Sequence, residues 1–169
     1  MRGLILDLDQ TLVDSQCIEH LRRSRQWSLV YQKIPTILAY EGIDEILSMA
    51  KDRGIKISIV SSSPSSYAHR VIQHFGWEFD TMVCYHDTAL HKPHPAPFIE
   101  ASHRLKIAEK DCWAVGDHPN DIIAAKRAGM YSVGVLWGSL DKEALIREKP
   151  DLIFDTVTSF YKAINDNFI

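Results

Sequence analysis

Six short apolar runs recur along the chain: LILDL at 4–8, ISIV at 57–60, TMVC at 81–84, CWAV at 112–115, YSVGVLW at 131–137 and DLIF at 151–154. Each has the length of a strand, and its apolar residues are consecutive rather than alternate, as in strands buried on both faces. Segments with helical character lie between them. Thr36 to Arg53 carries Ile37, Leu38, Ile43, Ile46, Leu47 and Ala50 and stops at Gly54. Pro64 to Phe75 follows a serine cluster and ends at Gly76, so both ends carry residues suited to capping. Ala96 to Leu105 follows a proline-rich approach, and the alanine-rich Asn120 to Ala128 stops at Gly129. Strands alternating with helices in this way predict an α/β fold, a Rossmann-like three-layer sandwich around a central parallel sheet. No repeat, low-complexity tract or linker interrupts the pattern, so residues 1–169 are expected to form one domain.

The composition narrows the setting. At 46% hydrophobic and 24% charged residues the chain reads as soluble and globular. A formal charge of −3 argues against a dedicated nucleic-acid binder. Cys17, Cys84 and Cys112 are odd in number and form no CxxC pair, which favours reduced thiols and a cytoplasmic location over a disulfide framework. The first apolar run is too short for a signal peptide, and none approaches the ~18 residues of a membrane span. His86, His91 and His94 crowd one proline-interrupted loop, but their spacing fits no helix face and no cysteine pair joins them, so zinc is not expected. The basic stretch LRRSR at 21–25 reads first as a solvated helix face, with attraction of an anionic substrate as the sharper alternative. Trp27, Tyr31 and Tyr40 read as packing residues rather than base-stacking platforms.

In open parallel sheets, ligands bind beyond the carboxyl ends of the strands. Polar residues gather there in this chain. Asp7 and Asp9 follow the first strand, Ser61, Ser62 and Ser63 the second, and Gly116 and Asp117 the fourth, while Lys92 lies in the loop after the third. If Leu4 to Leu8 is one strand, Asp7 and Asp9 project from the same face and repel each other. Such a pair needs a metal, a shared proton or a chemical task.

These residues are also ordered as in a known family. DxDxT (Asp7-Leu8-Asp9-Gln10-Thr11), Ser61 closing ISIV, KPHPAPF from Lys92 to Phe98 and GDHPND from Gly116 to Asp121 appear in sequence. The chain therefore resembles the haloacid dehalogenase superfamily of phosphohydrolases over nearly its whole length. The resemblance implies a phosphatase that hydrolyses a phosphate monoester, with Asp7 as nucleophile and Asp9 as general acid, then base. It implies Mg2+ held by Asp7, Asp117 and the backbone carbonyl of Asp9, which would relieve the crowded carboxylates. Ser61 and Lys92 would bind the phosphoryl oxygens, Asp121 would orient Lys92 or a metal-bound water, and Thr11, Ser62 and Gly116 would support the site. Asp9 argues against a haloacid substrate, because a halide leaving group needs no proton. It does not separate hydrolysis from phosphomutase transfer on a sugar phosphate, and a catalytically silent binding module is the third reading. Two positions depart from the family pattern: Ser62 stands where asparagine is frequent, and His118 where a small residue is frequent. His118 reads as a solvent-facing loop imidazole or, more sharply, as a substrate contact.

Family members that act on small metabolites often carry a large cap. Once the helix at 36–53 is assigned to the basic fold, only ~20 residues remain for one, at 15–35, enough for one helix of ~30 Å or a short helical hairpin. A fairly open site is expected, suited to a phosphate on a bulky or macromolecular substrate unless a second subunit roofs it. Arg22, Arg23 and Arg25 lie in this insert as candidate substrate contacts.

Overall fold

A computed structural model describes residues 2–166; residue 1 and residues 167–169 of the expected domain lie outside the described residues. In chain order the elements are β1 (Gly3–Leu6), β2 (Val13–Asp14), α1 (Glu19–Arg23), α2 (Trp27–Lys33), β3 (Leu38–Ala39), α3 (Ile43–Asp52), β4 (Lys56–Val60), α4 (Ser65–Phe75) and β5 (Thr81–Val83). They continue with α5 (Ala96–Leu105), β6 (Cys112–Gly116), α6 (Pro119–Arg127), β7 (Tyr131–Val135), α7 (Lys142–Arg147), β8 (Leu152–Phe154) and α8 (Val157–Asp166). Six strands form one parallel sheet in the order β5-β4-β1-β6-β7-β8. The chain runs outward from β1 through β4 to β5, then crosses back to β6 and out to β8. The order therefore reverses beside β1, the place where such sheets open a ligand crevice.

Both faces of the sheet are covered, which is why its strands read as unbroken apolar runs. Leu4, Leu6, Ile57, Ile59, Val115 and Val133 pack on one side with buried residues of α3, α4 and α8. Ile5, Val60, Val83 and Ala114 pack on the other with Phe98, Ala101 and Leu105 of α5 and Ala124 and Ala125 of α6. Truncating one of these fully buried leucines or isoleucines to alanine costs about 2–5 kcal/mol, a large share of an ordinary domain's stability.

Two expectations need correction. Residues 36–53 are not one helix: α3 begins at Ile43, and Leu38 and Ala39 pair antiparallel with Asp14 and Val13. Gly42 marks the break, with φ of 94° in the region where L side chains are strained. The apolar residues that mimicked one helical period belong to two elements, and Leu38 is 70% exposed. Second, β1 ends at Leu6 rather than Leu8, so Asp7 and Asp9 are loop residues and need not share a face. The stretch 15–35 contains α1 and α2, two short helices that meet each other, and α2 also contacts α4. Trp27 lies 6.1 Å from the ring of Tyr67, and the Tyr31 hydroxyl is 2.7 Å from Ser66, so these aromatic residues fasten the insert to α4.

Candidate active site

The crevice is built from strand ends. The backbone N–H of Asp7 donates to Val115 at 2.9 Å, and that of Ser61 donates to Val83 at 2.9 Å, so the sheet's own ladder fixes both residues. Beyond β6, Gly116 gives way to Asp117 and then to α6. Here Asp121 receives the His118 N–H at 3.1 Å, and the His118 ring accepts the Asn120 N–H at 3.1 Å, a reciprocal cap on α6. His118 is exposed, and its ring caps α6. A Cβ on Gly116 would lie 2.3–2.4 Å from Asp121, so only glycine lets the carboxylate cross the strand end.

Three carboxylates converge there. Ligand atoms of Asp7, Asp117 and Asp121 all lie within 4.8 Å of one another, and all three residues are buried. Lys92 reaches in from the loop before α5, 2.7 Å from Asp7 and 2.7 Å from Asp121, and also donates to the Val60 carbonyl at 3.2 Å. Burial alone would lower its ammonium, but Asp121 and Asp7 outweigh burial and hold it above the usual lysine range. One cation faces three acids. Burial, then the neighbouring carboxylates, pushes Asp117 far above the carboxylate range; burial also raises Asp7, with Lys92 opposing it. The repulsion from Asp9 is the weakest of the causes acting on Asp7. Among the described residues, Asp117 has one side-chain hydrogen-bond partner, the Thr11 hydroxyl at 3.0 Å. A buried, oxygen-only donor set with surplus negative charge fits a hard divalent cation.

Asp9 turns elsewhere. Its Oδ1 accepts from Ser15 at 2.7 Å and from the Tyr67 hydroxyl at 2.7 Å. Its Oδ2 accepts from Arg22 at 2.6 Å and, at 3.4 Å, from Ser63. Arg22 is thus part of the site rather than of a solvated face, while Arg23 pairs with Glu19 at 2.6 Å and Arg25 is exposed. The short insert was expected to leave the site fairly open; its Arg22 reaches Asp9, and Asp7 and Asp117 are each 8% exposed. Ser61 is buried and accepts the Ser63 N–H at 3.1 Å; Ser62 is exposed. The serine cluster supplies no side-chain cap to α4. Of the loop histidines, His91 stacks on Tyr85 at 4.1 Å, and His94 accepts the Ala96 N–H at the start of α5.

Sequence reasoning missed Ser15 and Tyr67 as partners of Asp9. A serine four residues beyond DxDxT was a usable signal. A tyrosine on the apolar face of an amphipathic helix was not.

Residues 16–135 match the model of a haloacid dehalogenase-like hydrolase family. The chain is 37% identical over 126 residues to a protein of Caldanaerobacter subterraneus subsp. tengcongensis bearing the pyrophosphatase name PpaX, covering 73% of this chain and 57% of that one. It is 32% identical over 124 residues to a phosphoglycolate phosphatase of Xanthomonas campestris pv. campestris, covering 67% and 56%. The chain thus spans little more than half the length of these relatives. In fold it matches the crystal structure of a predicted phosphoglycolate phosphatase from Haemophilus somnus with a TM-score of 0.83 at 21% identity, over 97% of this chain and 98% of that one.

Proposed function

The chain belongs to the haloacid dehalogenase-like hydrolase family, and from that premise we propose that it is a magnesium-dependent phosphatase. It would hydrolyse a phosphate monoester through an aspartyl-phosphate on Asp7. The observation that carries this reading is the convergence of Asp7, Asp117 and Asp121 at the strand-order reversal, two of them paired with the buried ammonium of Lys92.

Asp7, Asp117 and the backbone carbonyl of Asp9 are the groups that would hold Mg2+. When bound, the ion neutralises charge on the phosphoryl oxygens, so that an anionic nucleophile can approach. A carboxylate oxygen of Asp7 attacks phosphorus, and the bond to the ester oxygen breaks. Asp9 gives that oxygen a proton, then takes one from the water that cleaves the acyl phosphate and regenerates Asp7. Lys92 stays beside the negative charge throughout, held by Asp121, and the Ser61 hydroxyl donates to a phosphoryl oxygen. An intact cluster of this electrostatic cost argues against a silent binding module. Free thiols at Cys17, Cys84 and Cys112 suit the cytoplasm. Among the described residues no helix is long and apolar enough to cross a membrane.

The test is release of inorganic phosphate from p-nitrophenyl phosphate and from a panel of phosphorylated metabolites, with Mg2+ and with EDTA. Magnesium-dependent release supports the reading. Isomer formation from a sugar phosphate without free phosphate would replace it with a phosphomutase, and no turnover of any ester would overturn it.

A further inference from the structure

Asp9 is saturated. Four donors meet its two oxygens, whose lone pairs provide about four directions, so no direction remains for a leaving-group oxygen. One donor has to withdraw before Asp9 can serve the ester. Ser15 and Tyr67 are fully buried, and Ser63 is nearly so. Arg22 comes from α1, a helix of five residues with none buried, and is the donor with room to move.

The guanidinium itself is held imperfectly. Nη2 meets Asp9 at 2.6 Å and Ser63 at 3.2 Å, and Nη1 meets Ser15 at 3.0 Å. Nε is shut off from solvent and has no hydrogen-bond partner among the described residues. An unpaired buried N–H is unfavourable, and the Nε–Nη2 edge is the fork that fits a two-oxygen anion. Asp9 occupies one prong of that fork and leaves the other empty.

Arg22 also forms a wall of the adjacent cavity, about 320 Å³, together with Arg23, Arg25, His86, Ser62 and Ser63. The one carboxylate on its lining, Glu19, is paired with Arg23. Trp27, Pro64 and Tyr85 complete its lining, so the cavity joins basic and apolar walls, is of a size for a small fragment, and shares Arg22 and Ser63 with the surroundings of Asp9.

We propose that Arg22 is a positioning residue that occupies Asp9 in the substrate-free protein and releases it when a second anionic group of the substrate, seated in this cavity, draws the guanidinium away. The inference rests on the phosphatase reading and adds a substrate class: phosphate monoesters with a carboxylate or a second phosphate near the ester oxygen.

The experiment compares kcat and KM, with Mg2+, for phosphoglycolate and for ethyl phosphate, which has the same carbon count and no second anion. Wild type should prefer phosphoglycolate in kcat/KM by at least about tenfold. Arg22→Met should reduce that preference at least about tenfold, by raising KM for phosphoglycolate while kcat for ethyl phosphate holds or rises because Asp9 is no longer occupied, and Arg22→Lys should give an intermediate ratio because an ammonium cannot fork. Tyr67→Phe vacates a direction on Oδ1 that fully buried Tyr67 fills and no substrate reaches, so Arg22 must still withdraw and both esters should change by the same factor, with the ratio intact. Equal losses on both esters in Arg22→Met, or no preference in wild type, would overturn the proposal. If Arg22→Met fails to fold, a wild-type ratio in Arg22→Lys would overturn it. Absence of wild-type turnover on both esters and on p-nitrophenyl phosphate would instead overturn the phosphatase reading, and this inference with it.

Discussion

Asp117→Asn should stabilise the metal-free protein, even though it is expected to abolish activity. Asp117 is a buried carboxyl pushed up to about 9 from an ordinary value of 3.8, by burial first, then by Asp7 and Asp121. A carboxyl with a raised folded value binds its proton more tightly when folded. Its contribution to stability is therefore full at low pH and is lost as pH rises through the unfolded value toward the folded one. At ~1.4 kcal/mol per pH unit, the loss between pH 5 and pH 8 has a ceiling of about 4 kcal/mol. Relaxation and water penetration reduce this to about 2 kcal/mol. Asparagine keeps an oxygen for the Thr11 hydroxyl, now at 3.0 Å, and carries no charge. In EDTA at pH 8 the variant should melt about 4–8 °C above wild type, a gap that closes toward pH 4.5. Added Mg2+ should raise the wild-type Tm and leave the variant unmoved. The assay is thermal unfolding from pH 4.5 to 8.5, with EDTA or with Mg2+. A variant less stable than wild type at pH 8 in EDTA, or a gap independent of pH, would refute the reasoning.

Other expectations concern activity. Asp7→Asn should abolish turnover while leaving the circular dichroism spectrum intact; residual activity above about a tenth of wild type would remove Asp7 as nucleophile. EDTA should silence the enzyme, Mg2+ should restore it and Ca2+ should restore it poorly, because calcium accepts looser geometry. Gly116→Ala would set a Cβ against Asp121, so unfolding should show a loss of about 1–3 kcal/mol and kcat should fall with it. Replacing Arg22, Arg23 and Arg25 together with alanine should raise KM for the true substrate more than for p-nitrophenyl phosphate; equal effects would leave Arg23 and Arg25 as solvated surface.

The strands were legible because a parallel sheet covered on both faces leaves continuous apolar runs, and the candidate site was legible because its residues stand just past those runs. What escaped the sequence depended on long-range closure. Nothing local shows that Tyr67 would meet a carboxylate 58 positions earlier, or that Arg22 would turn inward while Arg23 turned out. Both depend on how the 15–35 insert lies against α4. The merging of Ile37 and Leu38 into a helix failed for a different reason: two short elements happened to keep one apolar period across Gly42, and period alone cannot locate the break.

Both oxygens of Asp121 are engaged. One closes the first turn of α6 through the His118 N–H, and the other fixes the ammonium of Lys92. The start of a structural helix and the placement of the buried Lys92 ammonium are thereby geared to the same side chain, with Gly116 as the clearance that lets the gear turn. Transplanting this site into another scaffold would require the β6–α6 corner as a single cassette, because a lysine moved without that corner would arrive with no fixed address.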